Sequence, residues 1–262
     1  MFEKINVSDN HTLFEDRVKN LKNEVVWATE TATQKAMTTY NSWQNRSPIK
    51  RFANIFQGDL AKNVLRSFFE GIGVSTEEYD RIRTDDFKEH DKFDLKIHKN
   101  SNFIEIEVKS SFEKTFTEIH DIFQKRNMII NGRGPHCKVT DICYQVFFYT
   151  VDTNRNFFKN EDAWSHTNKL EKDLCTRYVL EFIENVRMCI CGFVDKKQQL
   201  KALEKPFCIS DQSIGIRSHT YGTLPLIKTQ SPEKISDVLK NLDKQKRGLL
   251  SSFTTSMEVE RT

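Results

Sequence analysis

The fold is decided by residues 92–111. They read Lys92-Phe93-Asp94-Leu95-Lys96-Ile97, then His98-Lys99-Asn100-Ser101-Asn102, then Phe103-Ile104-Glu105-Ile106-Glu107-Val108-Lys109-Ser110-Ser111. Both arms alternate apolar and polar residues, the period of a half-buried strand. The polar stretch between them is long enough for a hairpin turn. Residues two apart on a strand share a face. Phe93, Leu95 and Ile97 therefore share one face, and so do Ile104, Ile106 and Val108. If these apolar faces enter one core, Asp94, Glu107 and Lys109 project together from the other side of the sheet. Two carboxylates and an amine brought that close form a candidate divalent-cation site. A one-residue slip in register would send Asp94 to the opposite face.

Working outward, residues 12–46 read as helical, with Leu13, Val18, Leu21, Val25 and Val26 in a rough stripe. Ser47-Pro48 is a helix start, with Ser at the cap and Pro at the first helical position. The helix it opens carries Leu60, Val64, Leu65, Phe68, Phe69 and Ile72, and Gly71 and Gly73 can end it. Residues 75–91 read as an acidic loop. After the hairpin, Phe112, Phe116, Ile119, Ile122 and Phe123 recur at helical spacing, predicting a helix to about Asn131. Gly132-Arg133-Gly134-Pro135 is a break. Ile142–Val151 is a nearly continuous apolar run, as expected of a central strand covered on both faces.

Beyond it the pattern predicts a helix over 166–187, a strand over Met188–Val194 and a short helix over Asp195–Glu204. Pro206–Ile216 reads as a strand, His219–Pro225 as a loop, and Ser231-Pro232 as the start of a last helix to Arg247. The segments are an N-terminal helical segment (1–47), a core that carries the hairpin (48–155), and a remainder (156–262). The fold class is α/β, a mixed central sheet flanked by helices, with helical additions at both ends.

The whole chain sets bounds. With 37 % hydrophobic residues and 20 phenylalanines among 262 residues, there is material for a sizeable core. Lysine plus arginine number 40 against 37 acids, a net charge of +3, so a polyanionic partner would need a local basic patch. No apolar run approaches the ~20 residues of a membrane span. Six cysteines and a polar N-terminus without a signal peptide are expected of reduced thiols in the cytoplasm. Cys189 and Cys191, at alternate positions of an apolar strand, read as core residues rather than zinc ligands, because paired-knuckle spacing is missing.

An acid-x-Lys triplet alone says little, since Asp86-Phe87-Lys88 and Asp195-Lys196-Lys197 also fit it. Glu107-Val108-Lys109 differs in context. It lies in an alternating strand, after a second such strand bearing Asp94 and an amphipathic helix, and before a helix and a buried strand. In that context the chain resembles the PD-(D/E)xK nuclease superfamily over residues 48–151, with Asp94 as the first acid and Glu107-Val108-Lys109 as (D/E)xK. Phe93 replaces the motif's proline. The resemblance implies a restriction-endonuclease-like core. It also implies Mg²⁺ (Mn²⁺ can substitute) held by Asp94, Glu107 and the Val108 carbonyl, with Lys109 positioning the attacking water or stabilising charge on phosphorus. Most like this chain are type II restriction endonucleases, which act on DNA as homodimers. Other nucleases of the superfamily (repair, junction-resolving or RNA-directed) and a non-catalytic nucleic-acid-binding domain are the alternatives.

The competing reading of the hairpin is a solvent-exposed polar face carrying weak cross-strand ion pairs. Asp91 and Asp86 are rivals for the first acid. Asp59 and Glu70 on the preceding helix, and Glu105 on the hairpin, are candidate supporting acids. Ser110, Arg126, Arg133 and Lys138 are candidate nucleic-acid contacts.

Overall fold

The computed structural model describes residues 2–38, 47–89, 91–99, 102–131, 139–150, 170–205, 207–209 and 219–240. In chain order the strands are β1 (Glu3–Ser8), β2 (His11–Arg17), β3 (Thr76–Glu78), β4 (Leu95–Lys99), β5 (Asn102–Glu113), β6 (Asn127–Asn131), β7 (Ile142–Thr150), β8 (Val186–Asp195), β9 (Phe207–Ile209) and β10 (His219–Pro225). The helices are α1 (Lys22–Thr38), α2 (Pro48–Gly71), α3 (Tyr79–Ile82), α4 (Ile119–Lys125), α5 (Lys172–Asn185) and α6 (Lys196–Ala202). Among the described residues, seven strands form a mixed sheet in the order β1-β2-β8-β7-β5-β4-β3, and β6-β10-β9 form a second sheet. Only β5 and β7 run parallel; the other neighbours in the large sheet are antiparallel. Parallel neighbours need a crossover, and α4 and β6 lie within it.

The large sheet buries both faces at its centre because β7 and β8 carry apolar residues along most of their length, with Gln145 a buried polar exception on β7. On β7, Ile142, Tyr144, Val146 and Phe148 enter a core built with α1, α2 and α5. The alternate residues Cys143, Phe147 and Tyr149 enter a second core with α4, β6 and Leu226. Phe56 of α2 packs edge-on against Tyr178 and Phe182 of α5, with centroids at 6.0 and 5.3 Å. Such geometry suits the quadrupoles of aromatic rings. The start of α2 is set as its sequence predicts: Pro48 opens it, and the Ser47 side chain accepts from the Lys50 N–H.

The hairpin has the predicted register. Leu95 pairs with Ile106 and Ile97 with Ile104, and all four are buried in the helical core. The strands continue to Lys99 and Asn102, leaving a shorter turn than the five residues expected. The predicted β7, β8 and α6 are present, and Asp195 caps α6 in a reciprocal pair with Gln198.

Five expectations are corrected. Residues 12–46 are not one helix, because β1 and β2 form a hairpin and helix begins only at Lys22. The N-terminal addition is thus part strand. Leu13 and Phe14 serve opposite cores, which a strand allows, and β2 extends the large sheet by pairing with β8. Residues 75–91 contain the edge strand β3 and the single turn α3. The helix expected from Phe112 to Asn131 covers only Ile119–Lys125: β5 extends to Glu113 along β7, and Asn127–Asn131 is β6. His219–Pro225 is a strand, paired with β6 and β9. Its Gly222 is needed for close approach, since a Cβ there would lie 2.8 Å from the Ala202 carbonyl oxygen. The segment after Ser231 begins as a 3₁₀ turn, Pro232–Lys234, before helical residues 235–240. Arg133, Lys138 and residues 241–262 lie outside the described residues. No described helix is long and apolar enough to cross a membrane.

Candidate functional site

The site grows out of the β4–β5 register. Leu95 opposite Ile106 sets Asp94, one step earlier, opposite Glu107. Directly opposed residues on antiparallel strands have Cβ atoms about 4.5–5.5 Å apart. The Asp94 Oδ2 accepts a hydrogen bond from the Val108 N–H at 2.8 Å, in the middle of the Glu107-Val108-Lys109 triplet. A residue's N–H and C=O point to the same edge of a strand. The Val108 carbonyl therefore faces the Asp94 side of β5. The Lys109 ammonium donates to Glu107 Oε1. On the other side of β5, Cys143 pairs with Glu107, and Gln145 pairs with Lys109.

The electrostatics of the three groups are strongly perturbed. Burial raises the Asp94 carboxyl, and the Glu107 charge raises it further, to about 7. Lys62, the Val108 N–H and Lys109 act against this without cancelling it. Burial opposes the charged form of Lys109, but Glu107 outweighs it and holds the ammonium above its ordinary value. The Cys143 thiol is pushed far up by burial, so it is a neutral neighbour rather than a nucleophile. The site thus concentrates negative charge that the Lys109 and Lys62 ammonium groups only partly offset at Asp94, the condition under which a bound cation is favoured.

A divalent metal fits this donor set by its chemistry. Mg²⁺ takes oxygen ligands, commonly one or two carboxylates with the remainder from water and phosphate. Asp94 and Glu107 are two such carboxylates, and Asp94, raised first by burial and then by the Glu107 charge, has an ionised form that a cation would favour. Among the described residues no three His, Cys, Asp or Glu side chains converge as a complete cage.

The remaining sequence candidates separate clearly. Asp91 is bound by Arg83 at 2.6 Å, while Asp86 is exposed beside Lys88 at 4.0 Å. Of the three rival first acids, it is Asp94 that bonds to the strand of Glu107. Asp59 is buried with Lys35 and Lys62 at 2.9 and 3.0 Å. Glu70 points to solvent and pairs with Arg66 one helical turn away. Glu105 shares the face of Glu107 and lies 3.9 Å from Lys96. Ser110 stands on the face of Val108 and Phe112, opposite Lys109; its neighbour Ser111 shares the Lys109 face. Arg126 holds the buried Glu113. Glu113 lies six residues along β5 from Glu107, roughly 20 Å away.

Two residues of the site were missed in the sequence. Lys62 is buried on α2, bound to Asp80 and Asp59, and its charge acts on Asp94. Its signal was a polar pair, Lys62-Asn63, inside a wide apolar stripe. Gln145 is fully buried; its amide donates to the Lys109 carbonyl and the Ser111 hydroxyl, both at 3.2 Å, while its Oε1 has no partner. Its signal was a lone glutamine in the apolar run of β7. No family model matches the chain, and no curated protein or solved structure matches it either.

Proposed function

We propose that the protein is a Mg²⁺-dependent endonuclease that hydrolyses phosphodiester bonds of DNA, built on a restriction-endonuclease-like core. The observation that carries this reading is the Asp94 carboxylate bonded into the Glu107-Val108-Lys109 triplet, with the two acids opposed and Lys109 on Glu107. It is supported by the order of elements: α2, the antiparallel strands β3, β4 and β5, a crossover, and then β7 parallel to β5. The finer form of the proposal is a type II restriction endonuclease acting as a homodimer, whose signature is cleavage at a symmetric sequence.

Asp94, Glu107 and the Val108 carbonyl would hold the Mg²⁺ ion, or Mn²⁺ in its place. The ion would supply Lewis acidity and a more acidic bound water. The chain's own groups do the rest. Asp94 must give up its proton to bind a cation, so at sub-saturating Mg²⁺ activity should rise with pH toward about 7, where the metal-free carboxyl loses its proton. Lys109 then shifts its hydrogen bonding from Glu107 toward the attacking water and the phosphoryl oxygens, where its charge stabilises the transition state. Gln145 holds the backbone carbonyl of Lys109 and so fixes where that ammonium starts from. The water oxygen gives up a proton to solvent as it forms a new bond to phosphorus, the bond to one sugar oxygen breaks, and that oxygen takes up a proton from solvent.

The test is incubation with supercoiled plasmid and Mg²⁺, with and without chelator, beside Asp94→Ala and Lys109→Ala. Nicking or linearisation that needs Mg²⁺ and is lost in both variants is expected. A wild type inert on plasmid and on RNA, or variants that cut as well as it does, overturns the assignment. Cleavage of RNA alone moves the substrate and leaves the site in place.

A further inference from the structure

We propose that the lysine ridge of α6, formed by Lys196, Lys197 and Lys201, is the surface that holds the nucleic-acid backbone beside the Asp94/Glu107/Lys109 site. This rests on the nuclease reading for its substrate class, but on separate residues for its argument.

The sheet register fixes the position of α6. Asp195, its cap, pairs with Ile142, and Ile142 pairs with Ile106, the residue before Glu107. Two strand spacings separate β8 from β5, about 10 Å. The face is also settled. Ala202 and Leu203 pack on the second core, the core that buries Cys143, the in-register neighbour of Glu107. Gln199 donates to the Thr140 carbonyl at 3.0 Å, tying α6 to the start of β7. The ridge therefore borders the sheet face from which Glu107 and Lys109 project, at the end of β7 where they sit.

The charge is local and free. Lys196, Lys197 and Lys201 are exposed, and among the described residues none of them is held in an ion pair. Lys205 follows them, and the Lys228 carbonyl accepts from Gln198 at 3.4 Å, bringing that residue alongside. Against these five lysines stand Glu204 and Asp195, and Asp195 is occupied in the cap. Five lysines against two acids leave a local excess of positive charge on this face, although the chain as a whole is nearly balanced at +3. Lys196, Lys197, Leu200, Lys201 and Glu204 line an open concavity of about 470 Å³. Lysines in such a row neutralise successive phosphates and carry no sequence information.

The experiment compares the wild type with Lys196→Ala/Lys197→Ala/Lys201→Ala in two assays. The first is anisotropy of a labelled 20-base-pair DNA duplex, with Ca²⁺ replacing Mg²⁺, over a range of salt concentrations. The second is hydrolysis of bis(p-nitrophenyl) phosphate with Mn²⁺, a diester too small to reach the ridge. The triple variant is expected to bind duplex at least tenfold more weakly, with a salt slope smaller by about 2–3, and to hydrolyse the small diester within twofold of wild type. Unchanged duplex affinity and slope overturn the inference, as does a wild type that binds no duplex. A ridge-dependent wild type that hydrolyses neither the small diester nor plasmid supports the ridge and sinks the nuclease reading. Hydrolysis that survives beside ridge-independent binding does the reverse. A parallel arm with single-stranded RNA distinguishes the two polynucleotides.

Discussion

Asp80 and Asp94 are both aspartates withdrawn from water, and the protein drives them in opposite directions. Burial resists ionisation of Asp80, but Lys62 and Lys35 outweigh it and hold the carboxyl down at about 2. Lys62, Lys35 at 2.7 Å and Arg83 at 3.2 Å all bond to it. Phe87 adds its ring face to Arg83 and Lys35, at 4.6 and 5.5 Å from the ring centre. At Asp94 burial and Glu107 act together, and the carboxyl rises to about 7. The difference is the local count of cations. The Asp80 cluster is electrostatically closed and serves to tie α1, α2 and α3 together. The Asp94 cluster is left short of positive charge, which is how a binding or catalytic site differs from a structural ion network.

Several experiments can break or sharpen that contrast. The largest effect is expected on chemistry: Lys109→Ala should lower Mg²⁺-dependent plasmid cleavage by about 10²–10³-fold, as for loss of a transition-state donor. Lys109→Ala should cost no more than about 1 kcal/mol of stability, because its partner Glu107 keeps access to water. Lys62→Ala is the opposite case. It takes one buried cation from Asp80 and Asp59, which keep Lys35 and, for Asp80, Arg83, and urea unfolding should report a loss of about 3 kcal/mol. A Lys62→Ala protein as stable as wild type would show that the Asp80 cluster is not closed by its lysines.

The next effect concerns pH. The folded-state carboxyl of Asp94 lies above its unfolded value, so the folded state holds its proton more tightly. That group therefore subtracts stability as pH rises from about 4 through about 7, the reverse of Asp80, whose contribution is lost only as pH falls from about 4 toward about 2. Without divalent ions, Asp94→Asn should raise Tm at pH 8 by at least about 2–4 °C, the shift expected per kcal/mol in a chain of this size. At pH 4 it should change Tm little. A lower Tm at pH 8 would contradict the cost of ionising Asp94 ascribed to burial and to Glu107. The smallest effects belong to Glu70→Gln and Glu105→Gln. Glu70 pairs on the surface and Glu105 only loosely with Lys96 at 3.9 Å, so stability should move by less than about 1 kcal/mol and cleavage by less than twofold.

What could be read in the sequence follows the range of the interactions involved. The hairpin was legible because strand alternation is local, and Leu95, Ile97, Ile104 and Ile106 carry it without help from the rest of the chain. The start of α2 was legible because Ser47 and Pro48 act within one turn. The strands β6 and β10 were not, since each is made a strand by the other, far away in sequence, and β2 was not, because it is paired on one edge by its neighbour β1 and on the other by the distant β8. Leu13 and Val18 happened to fit a helical spacing, and the pairing of Phe14 with Lys4 on one side and Ile190 on the other decides otherwise. At the site, Asp94, Glu107 and Lys109 followed from register alone. Lys62 and Gln145 did not, because both act through buried contacts across elements far apart in sequence. The ridge of α6 was visible only as two lysines in an accidental acid-x-Lys match, until the pairing of Asp195 with Ile142 placed it beside the site.

The most direct test of the central contrast is calorimetric titration of Mn²⁺ into the wild type, Asp94→Asn and Glu105→Gln at pH 8, repeated for the wild type at pH 6. The account predicts a bound ion in the wild type and in Glu105→Gln, weaker binding at pH 6, and none in Asp94→Asn. Binding by Asp94→Asn with wild-type stoichiometry and affinity would contradict it, because the ion would then not be held by the carboxylate pair opposed across β4 and β5.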